Sequence, residues 1–233
     1  MKLTLPLFDE FPDLRKSLNQ LEEQLKDKVY IDNLTASPNL LAFDATWSRI
    51  RLEENVYLLF VEVDEMKKLN DRYGQENADL YLQKLSEILR LKSQRSHALS
   101  FRRSGDEFFL LARGLTREDV ERLAVSIVQA VGKARVGADK GRFTVSIGGT
   151  QVDMREAMPI NRGYAEKAVK EAKRRGRNQF VWYSDDIEKQ PKTFEPRINC
   201  TSCRTHASIV MEEKQYDQLQ HFLCPVCGAA IPK

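Results

Sequence analysis

The four cysteines of this 233-residue chain stand at positions 200, 203, 224 and 227, and the first 199 residues hold none. A chain that staples itself with disulfides spreads its cysteines through the body to be stapled. Here the body must close its core by packing alone. The spacing is C-x2-C, twenty residues, then C-x2-C, the upper end of the zinc-ribbon pattern. Each pair suits a tight knuckle, and four thiolates complete the tetrahedral shell of one structural Zn2+. Pro225 and Gly228 supply turn chemistry around the second pair. With Cys200, Cys203, Cys224 and Cys227 available as ligands, His206 and His221 are read as bystanders.

At 42% hydrophobic and 30% charged residues, the remainder can fill a core and is not a disordered tail. The net charge of +3 is too near zero to announce a nucleic-acid or membrane partner. No stretch approaches the ~18 apolar residues of a membrane span. Leu3 to Phe8 is too short for the apolar region of a signal peptide, so a soluble, cytoplasmic protein with no membrane association is expected. Four regions follow: an N-terminal helix within 1–29, a main body over 30–183, a polar linker over 184–197, and the ribbon over 198–233. In the first, Phe11, Leu14, Leu18, Leu21 and Leu25 form a seam of barely two heptads over 8–28. Such a seam serves a helix packed on its own domain as well as it serves a dimerising stub.

Within the body, Ser37-Pro38 reads as an N-cap and first helical position for a helix running to about residue 53. The near-continuous apolar run 56–63 is a buried strand that ends on carboxylates. A helix follows over 76–92, then strands over 99–103 and 107–111 around a tight turn. Thr116 and Asp119 form a capping box for a helix over 117–132. Phe143, Val145 and Ile147 alternate with Thr144, Ser146 and Gly148 as a strand, and a helix over 162–175 and a strand over 180–183 complete the order αβαββαβαβ. That order predicts an α/β sandwich, a sheet with helices packed on it.

The carboxylates are the candidate chemistry. Glu62 and Asp64 stand two apart on a strand and are expected to share a face at its C-terminal end. Asp106 and Glu107 sit at the hairpin tip, so three or four carboxylates converge on one edge if the hairpin lies beside the first strand. Like charges that close need compensation, which divalent magnesium or manganese supplies. Acidic groups holding two metals are how proteins handle nucleoside triphosphates.

Six motifs in order then carry a resemblance over residues 32 to 183. Asp32-Asn33-Leu34-Thr35, with Asn39 and Phe43, is similar to D-x-L-T-x-x-x-N-x-x-x-F, and Glu62 to Asp71 is similar to D-x-D-x-F-K-x-x-N-D. Gly74 and Asp79 fit the ends of G-H-x-x-G-D, and Arg102-Arg103-Ser104-Gly105-Asp106-Glu107-Phe108 is similar to R-x-G-G-D-E-F. Thr144 to Gly148 is similar to T-x-S-x-G, and Ala165-Glu166 through Ala172-Lys173 to Asn178 is similar to A-D…A-K-x-x-G-R-N. The body thus resembles the GGDEF family, the diguanylate cyclases. The resemblance implies a palm-like sandwich, a central and mostly antiparallel sheet flanked by helices.

The resemblance also assigns roles. Glu62, Asp106 and the backbone carbonyl of Val63 would hold two Mg2+ (or Mn2+) per active site. Glu107 would join the metal binding or deprotonate the attacking ribose 3′-hydroxyl, and the Ser104-Gly105 turn would bring backbone close to phosphate. Lys67, Lys173 and Arg177 would neutralise phosphates, while Asn70 and Asp79 would read the base. An ionised Asp79 pairs with guanine N1–H and its exocyclic amine, whereas adenine leaves it unpaired, which argues for GTP. The pattern is departed from at Ser104 (first glycine), Glu62 (aspartate), Gln75 (histidine) and Ala78 (second glycine before Asp79). Arg95-Ser96-His97-Ala98 lacks the aspartate of the R-x-x-D product-inhibition site.

The implied function is condensation of two GTP into cyclic di-GMP and pyrophosphate across a homodimer. A catalytically silent receptor for GTP or a cyclic dinucleotide is the alternative that Ser104 and Glu62 favour. A nucleic-acid-associated nucleotidyltransferase is a third, but 198–233 carries Lys214, Lys233 and Arg204 against Glu212, Glu213 and Asp217, with no basic stripe. A protein partner or a dimer-stabilising contact is therefore the expected role of the ribbon.

Overall fold

The computed structural model describes residues 16, 29–50, 55–137, 141–189, 193–194, 197–204, 206–208, 211–212, 218–224 and 226–232. It forms two compact units, Met1–Ser184 and Asp185–Lys233. The seam read over 8–28 lies outside the described residues, apart from Lys16. No described helix is long and apolar enough to cross a membrane.

The larger unit runs α1 (Leu40–Trp47), β1 (Val56–Val63), α2 (Met66–Tyr73), α3 (Gln75–Gln94), β2 (Ala98–Ser104), β3 (Glu107–Arg113), α4 (Arg117–Lys133), β4 (Val145–Gln151), α5 (Met158–Arg174) and β5 (Phe180–Trp182). Its sheet has the order β2-β3-β1-β4-β5. All pairs are antiparallel except β4 with β5. The apolar run at 56–63 is the central strand, which explains why it does not alternate with polar residues. Tyr57, Leu59, Val61 and Val63 enter a core shared with Leu85 and Leu89 of α3 and Ile127 of α4. Val56, Leu58 and Phe60 enter a second core with Phe43 of α1 and Val169 of α5. The sheet is therefore covered on both faces.

Several details differ from the sequence reading, and α1 ends at Trp47, short of the expected residue 53. The first helix is capped by Asn39, whose side chain accepts from the Ala42 N–H, and Ser37 lies buried with its hydroxyl bonded to that of Ser86 at 2.6 Å. A separate helix, α2, precedes α3, divided from it by Gly74 at φ +77°. The last long helix begins at Met158, ahead of the expected residue 162. The Thr116–Asp119 capping box is present at α4.

The smaller unit contains α6 (Asp185–Lys189), β6 (Thr193–Phe194), β7 (Arg197–Asn199), β8 (His206–Ser208), β9 (Met211–Glu212), β10 (His221–Leu223) and β11 (Ala230–Pro232). The stretch read as a linker over 184–197 thus carries α6, β6 and the first residue of β7. Among the described residues three two-stranded ribbons form, β6 with β9, β7 with β8 and β10 with β11. The core comprises Cys200, Phe222, Cys224 and Ile231.

Candidate active site

Central placement of β1 decides which side chains meet. Its last residues pair with the start of β3, with Glu62 opposite Glu107, and the Val63 N–H donates to the Asp106 carbonyl at 3.2 Å. Glu62, Asp106 and Glu107 therefore share one end of the sheet, as the motif spacing led one to expect. Asp64 does not join them. The chain leaves the strand there, and Asp64 is buried, accepting from the hydroxyls of Thr144 (2.7 Å) and Ser146 (2.6 Å) and from the Asn178 N–H (3.1 Å). Asp64 keeps the face that alternation gives it, since it bonds Ser146, the cross-strand partner of Glu62, but these three donors and its burial occupy the carboxylate.

Electrostatics at this end are those of a crowded acidic cluster. Burial pushes the Asp106 carboxyl above its ordinary value, and the charges of Glu62 and Glu107 add to the effect against its own backbone N–H and Lys173. Lys173, in the last turn of α5, holds Glu62 at 2.5 Å, with the two side chains 26% and 24% exposed. Hard carboxylate oxygens brought this close together suit a divalent cation of the magnesium type. The donor set at Glu62 and Asp106 fits such ions.

The turn between β2 and β3 is braced from below. Arg102 donates from Nε and Nη2 to the Gly105 carbonyl (3.2 and 2.7 Å) and from Nη1 to Asp32 (2.7 Å). Asp32 also accepts from the N–H and hydroxyl of Thr35. Burial works against ionisation of Asp32, but the Thr35 and Arg102 hydrogen bonds outweigh it and hold the carboxyl below its usual range. Two motifs seventy residues apart thus make one clamp, a role the sequence reading did not assign. Gly105 takes φ +50°, whereas Ser104 closes β2 without left-handed geometry and donates from its hydroxyl to Glu107 at 3.1 Å. The position that demands glycine is the second of the signature, and it is kept. Arg103 lies between Glu166 (2.8 Å) and Glu107 (3.4 Å).

The other expected nucleotide contacts come from neighbouring elements. Lys67 and Asn70 lie exposed on α2, and Asp79 is half-buried in α3 beyond the Gly74 break. Arg177 is exposed in the loop after α5 at φ +64°. Its charge reaches Glu65 at the start of α2, where Lys68 first, and Arg177 with it, hold the carboxyl below its ordinary value. Sequence alternation could not have linked α2 to the loop at 177.

In the smaller unit the four cysteines are free thiols whose sulfurs all lie within 4.8 Å of one another. Among the described residues they are the set of at least three potential ligands that gathers this closely. The Cys200–Cys227 and Cys203–Cys224 sulfurs are 3.6 and 3.5 Å apart. Four sulfurs at about 2.3 Å from a zinc ion stand about 3.8 Å apart on a tetrahedron, so the arrangement fits one. The second knuckle is shaped by Cys224 N–H to Ala229 and Gly228 N–H to Cys224, both 2.9 Å, with Gly228 at φ +72°.

Residues 29–179 match the family described as "Diguanylate cyclase, GGDEF domain". The chain belongs to the GGDEF family. It is 28% identical over 160 residues to the diguanylate cyclase DgcZ of Escherichia coli, covering 66% of this chain and 54% of that one. It is 30% identical over 167 residues to the diguanylate cyclase DgcM of the same organism, covering 70% of this chain and 40% of that one. The chain therefore spans about half or less of the length of these curated relatives. Among solved structures, the coiled coil and GGDEF domain of DgcB from Caulobacter crescentus, in complex with c-di-GMP, matches with a TM-score of 0.67. It is 20% identical and covers 78% of this chain and 100% of that one. A Pseudomonas aeruginosa GGDEF domain at 26% identity matches with a TM-score of 0.61, covering 68% of this chain and 97% of that one. The fold is the GGDEF α/β sandwich.

Proposed function

We propose that this chain is a diguanylate cyclase that condenses two GTP into cyclic di-GMP and two pyrophosphates across a homodimer. The observation that carries the reading is the meeting of Glu62, Asp106 and Glu107 at one end of the sheet, with Lys173 beside them. Two Mg2+ or Mn2+ ions, held by Glu62, Asp106 and the Val63 carbonyl, would neutralise charge on the triphosphate. Lys173 leaves Glu62 for a phosphate oxygen when nucleotide binds, and Lys67 and Arg177 take others. Asp79 accepts from guanine N1–H and its amine, and Asn70 supports the same edge, so ATP forfeits these bonds.

Each subunit holds one GTP facing its partner's. The 3′-hydroxyl oxygen of one ribose forms a bond to the α-phosphorus of the other nucleotide. The bond to the bridging oxygen breaks, pyrophosphate leaves, and the hydroxyl proton passes to Glu107. Two such steps close the ring. The departure at Ser104 leaves this reading standing, because the left-handed backbone belongs to Gly105. The catalytic unit occupies residues 30–183. The four-cysteine module, 198–233, would hold one structural Zn2+ through Cys200, Cys203, Cys224 and Cys227 and serve as a protein-contact surface.

The test is incubation of purified protein with GTP, ATP or both, with Mg2+ and then Mn2+, and product identification by mass spectrometry. Cyclic di-GMP from GTP, abolished in Asp106→Ala, is expected. GTP binding without any product at high protein concentration would replace the cyclase reading with that of a silent receptor.

A further inference from the structure

Asp64 belongs to the same motif as Glu62, yet its side chain is nowhere near free to bind a metal or a substrate. It is 5% exposed and accepts three hydrogen bonds, two from hydroxyls of Thr144 and Ser146 before and in β4, and one from the backbone of Asn178. Its own N–H donates to the Thr144 carbonyl at 2.9 Å. One buried carboxylate thus joins the end of β1, the strand beside it, and the loop that follows α5.

That loop needs an anchor. Arg177 and Asn178 stand at φ +64° and +50°, a pair of consecutive left-handed residues without a glycine between them. Side-chain-bearing residues adopt that geometry in succession when surrounding contacts hold them there. Arg177 N–H to Ala172 (3.0 Å) and Gly176 N–H to Lys173 (3.3 Å) tie the loop to its own helix. The bond from Asn178 to Asp64 ties it to β1 instead. Immediately after Asp64 comes Glu65, also left-handed at φ +55°, whose carboxyl feels the Arg177 charge.

We propose that Asp64 is a positioning residue: its carboxylate pins the 176–178 loop to the end of β1 and so holds Arg177 in place for phosphate. This rests on the reading of Arg177 as a phosphate ligand given above. Asp64 touches neither substrate nor metal. It acts by accepting hydrogen bonds, so asparagine should substitute. The amide oxygen can take the Asn178 N–H and the Thr144 hydroxyl, and the amide nitrogen can donate to Ser146. Alanine leaves all three donors without that acceptor.

Three readouts on the whole chain separate this from other roles. Hydrogen exchange should show the Asn178 amide of the wild type protected like a sheet amide, still protected in Asp64→Asn and released in Asp64→Ala. Binding of GTP with Mg2+ should weaken on the order of tenfold in Asp64→Ala and change by less than about threefold in Asp64→Asn. In the Arg177→Ala background, Asp64→Ala should add little further loss, because both changes remove one contact. Exchange and binding need no turnover, so a protein that forms no product refutes the cyclase reading and leaves this test intact. If Asp64→Ala does not fold, the wild-type protection and the asparagine rescue carry the test. A rapidly exchanging Asn178 amide, or an Asp64→Asn variant as impaired as a folded Asp64→Ala, overturns the proposal. The second result would mean that Asp64 acts through its charge.

Discussion

Gly148 of β4 packs directly on the backbone of α5, and adding one methyl group there tests how tightly they are coupled. A Cβ at Gly148 would stand 2.3 Å from Val169 N, 2.4 Å from Ala165 O and 2.8 Å from Ala168 C, all backbone of α5. Ordinary contact begins near 3.5 Å, so the helix would have to withdraw by about 1 Å. Backbone inside a helix cannot swing aside as a side chain can. Overpacking of this kind costs roughly 1–3 kcal/mol, and more where nothing yields. Replacing glycine returns about 0.4–1 kcal/mol by restricting the unfolded chain. Gly148→Ala should therefore destabilise by about 2 kcal/mol, a fall of roughly 4–8 °C in Tm for a unit of this size. Gly149→Ala is the control, because its Cβ would meet side-chain ends, Leu59 Cδ2 and Phe180 Cε2 at 2.8 Å, which can turn away. It should cost about 1 kcal/mol less. The assay is urea unfolding followed by tryptophan fluorescence. The chain's two tryptophans, Trp47 and Trp182, lie in the Met1–Ser184 unit, so the cysteine module does not blur the transition. The same withdrawal would carry Lys173 away from Glu62, so GTP affinity should fall with stability. A Gly148→Ala variant within about 0.5 kcal/mol of wild type, or one more stable than Gly149→Ala, would refute this account of the packing.

Three further expectations follow from the site. Gly105→Ala, forced to φ +50°, should lose about 1 kcal/mol and more turnover than Ser104→Gly, whose backbone is ordinary strand; the reverse order in a parallel assay would misplace the critical turn residue. Because the folded protein raises the Asp106 pKa, it binds that proton more readily than the unfolded chain, and stability falls as pH rises through the raised value. Asp106→Asn should accordingly melt above wild type at neutral pH, with the gap closing below about pH 4, where Asp106 is protonated in both states; equal melting at neutral pH would remove the argument. Metal analysis should find about one zinc per chain, and the four thiols should resist a thiol reagent until a strong chelator strips the ion. Four freely reactive thiols in untreated, zinc-free protein would count against the ribbon assignment.

What could be read from the chain in advance was whatever its local pattern determines. The central strand announced itself by an unbroken apolar run, and the cysteine knuckles by their spacing, because both signals are contained within a few residues. The helix α2 gave a weaker signal, since none of its eight residues is fully buried and only Met66, Leu69 and Tyr73 pack partly on the core. The start of α1 is locally ambiguous because Ser37 and Asn39 are both good caps. What separates them is the contact of Ser37 with Ser86, forty-nine residues on, which no local rule contains. Asp64 is the same case within the site: alternation puts it on the face of Glu62, but the partners that occupy it, Thr144, Ser146 and Asn178, lie eighty or more residues on, beyond any local rule.

The signature itself shows what this distinction means for function. In sequence, the serine at 104 is the conspicuous departure, because a glycine-rich turn suggests that every glycine is needed for backbone freedom. In the structure that freedom is used at Gly105, while Ser104 ends a strand and points its hydroxyl at Glu107. Arg102 and Asp32 brace the turn through the Gly105 carbonyl, which does not depend on the side chain at 104. The shape of the turn therefore survives the substitution. Turnover rests instead on the chemistry of two carboxylates: Glu62, one methylene longer than the family's aspartate and already held by Lys173, and Glu107, which accepts from the serine that stands in place of the glycine.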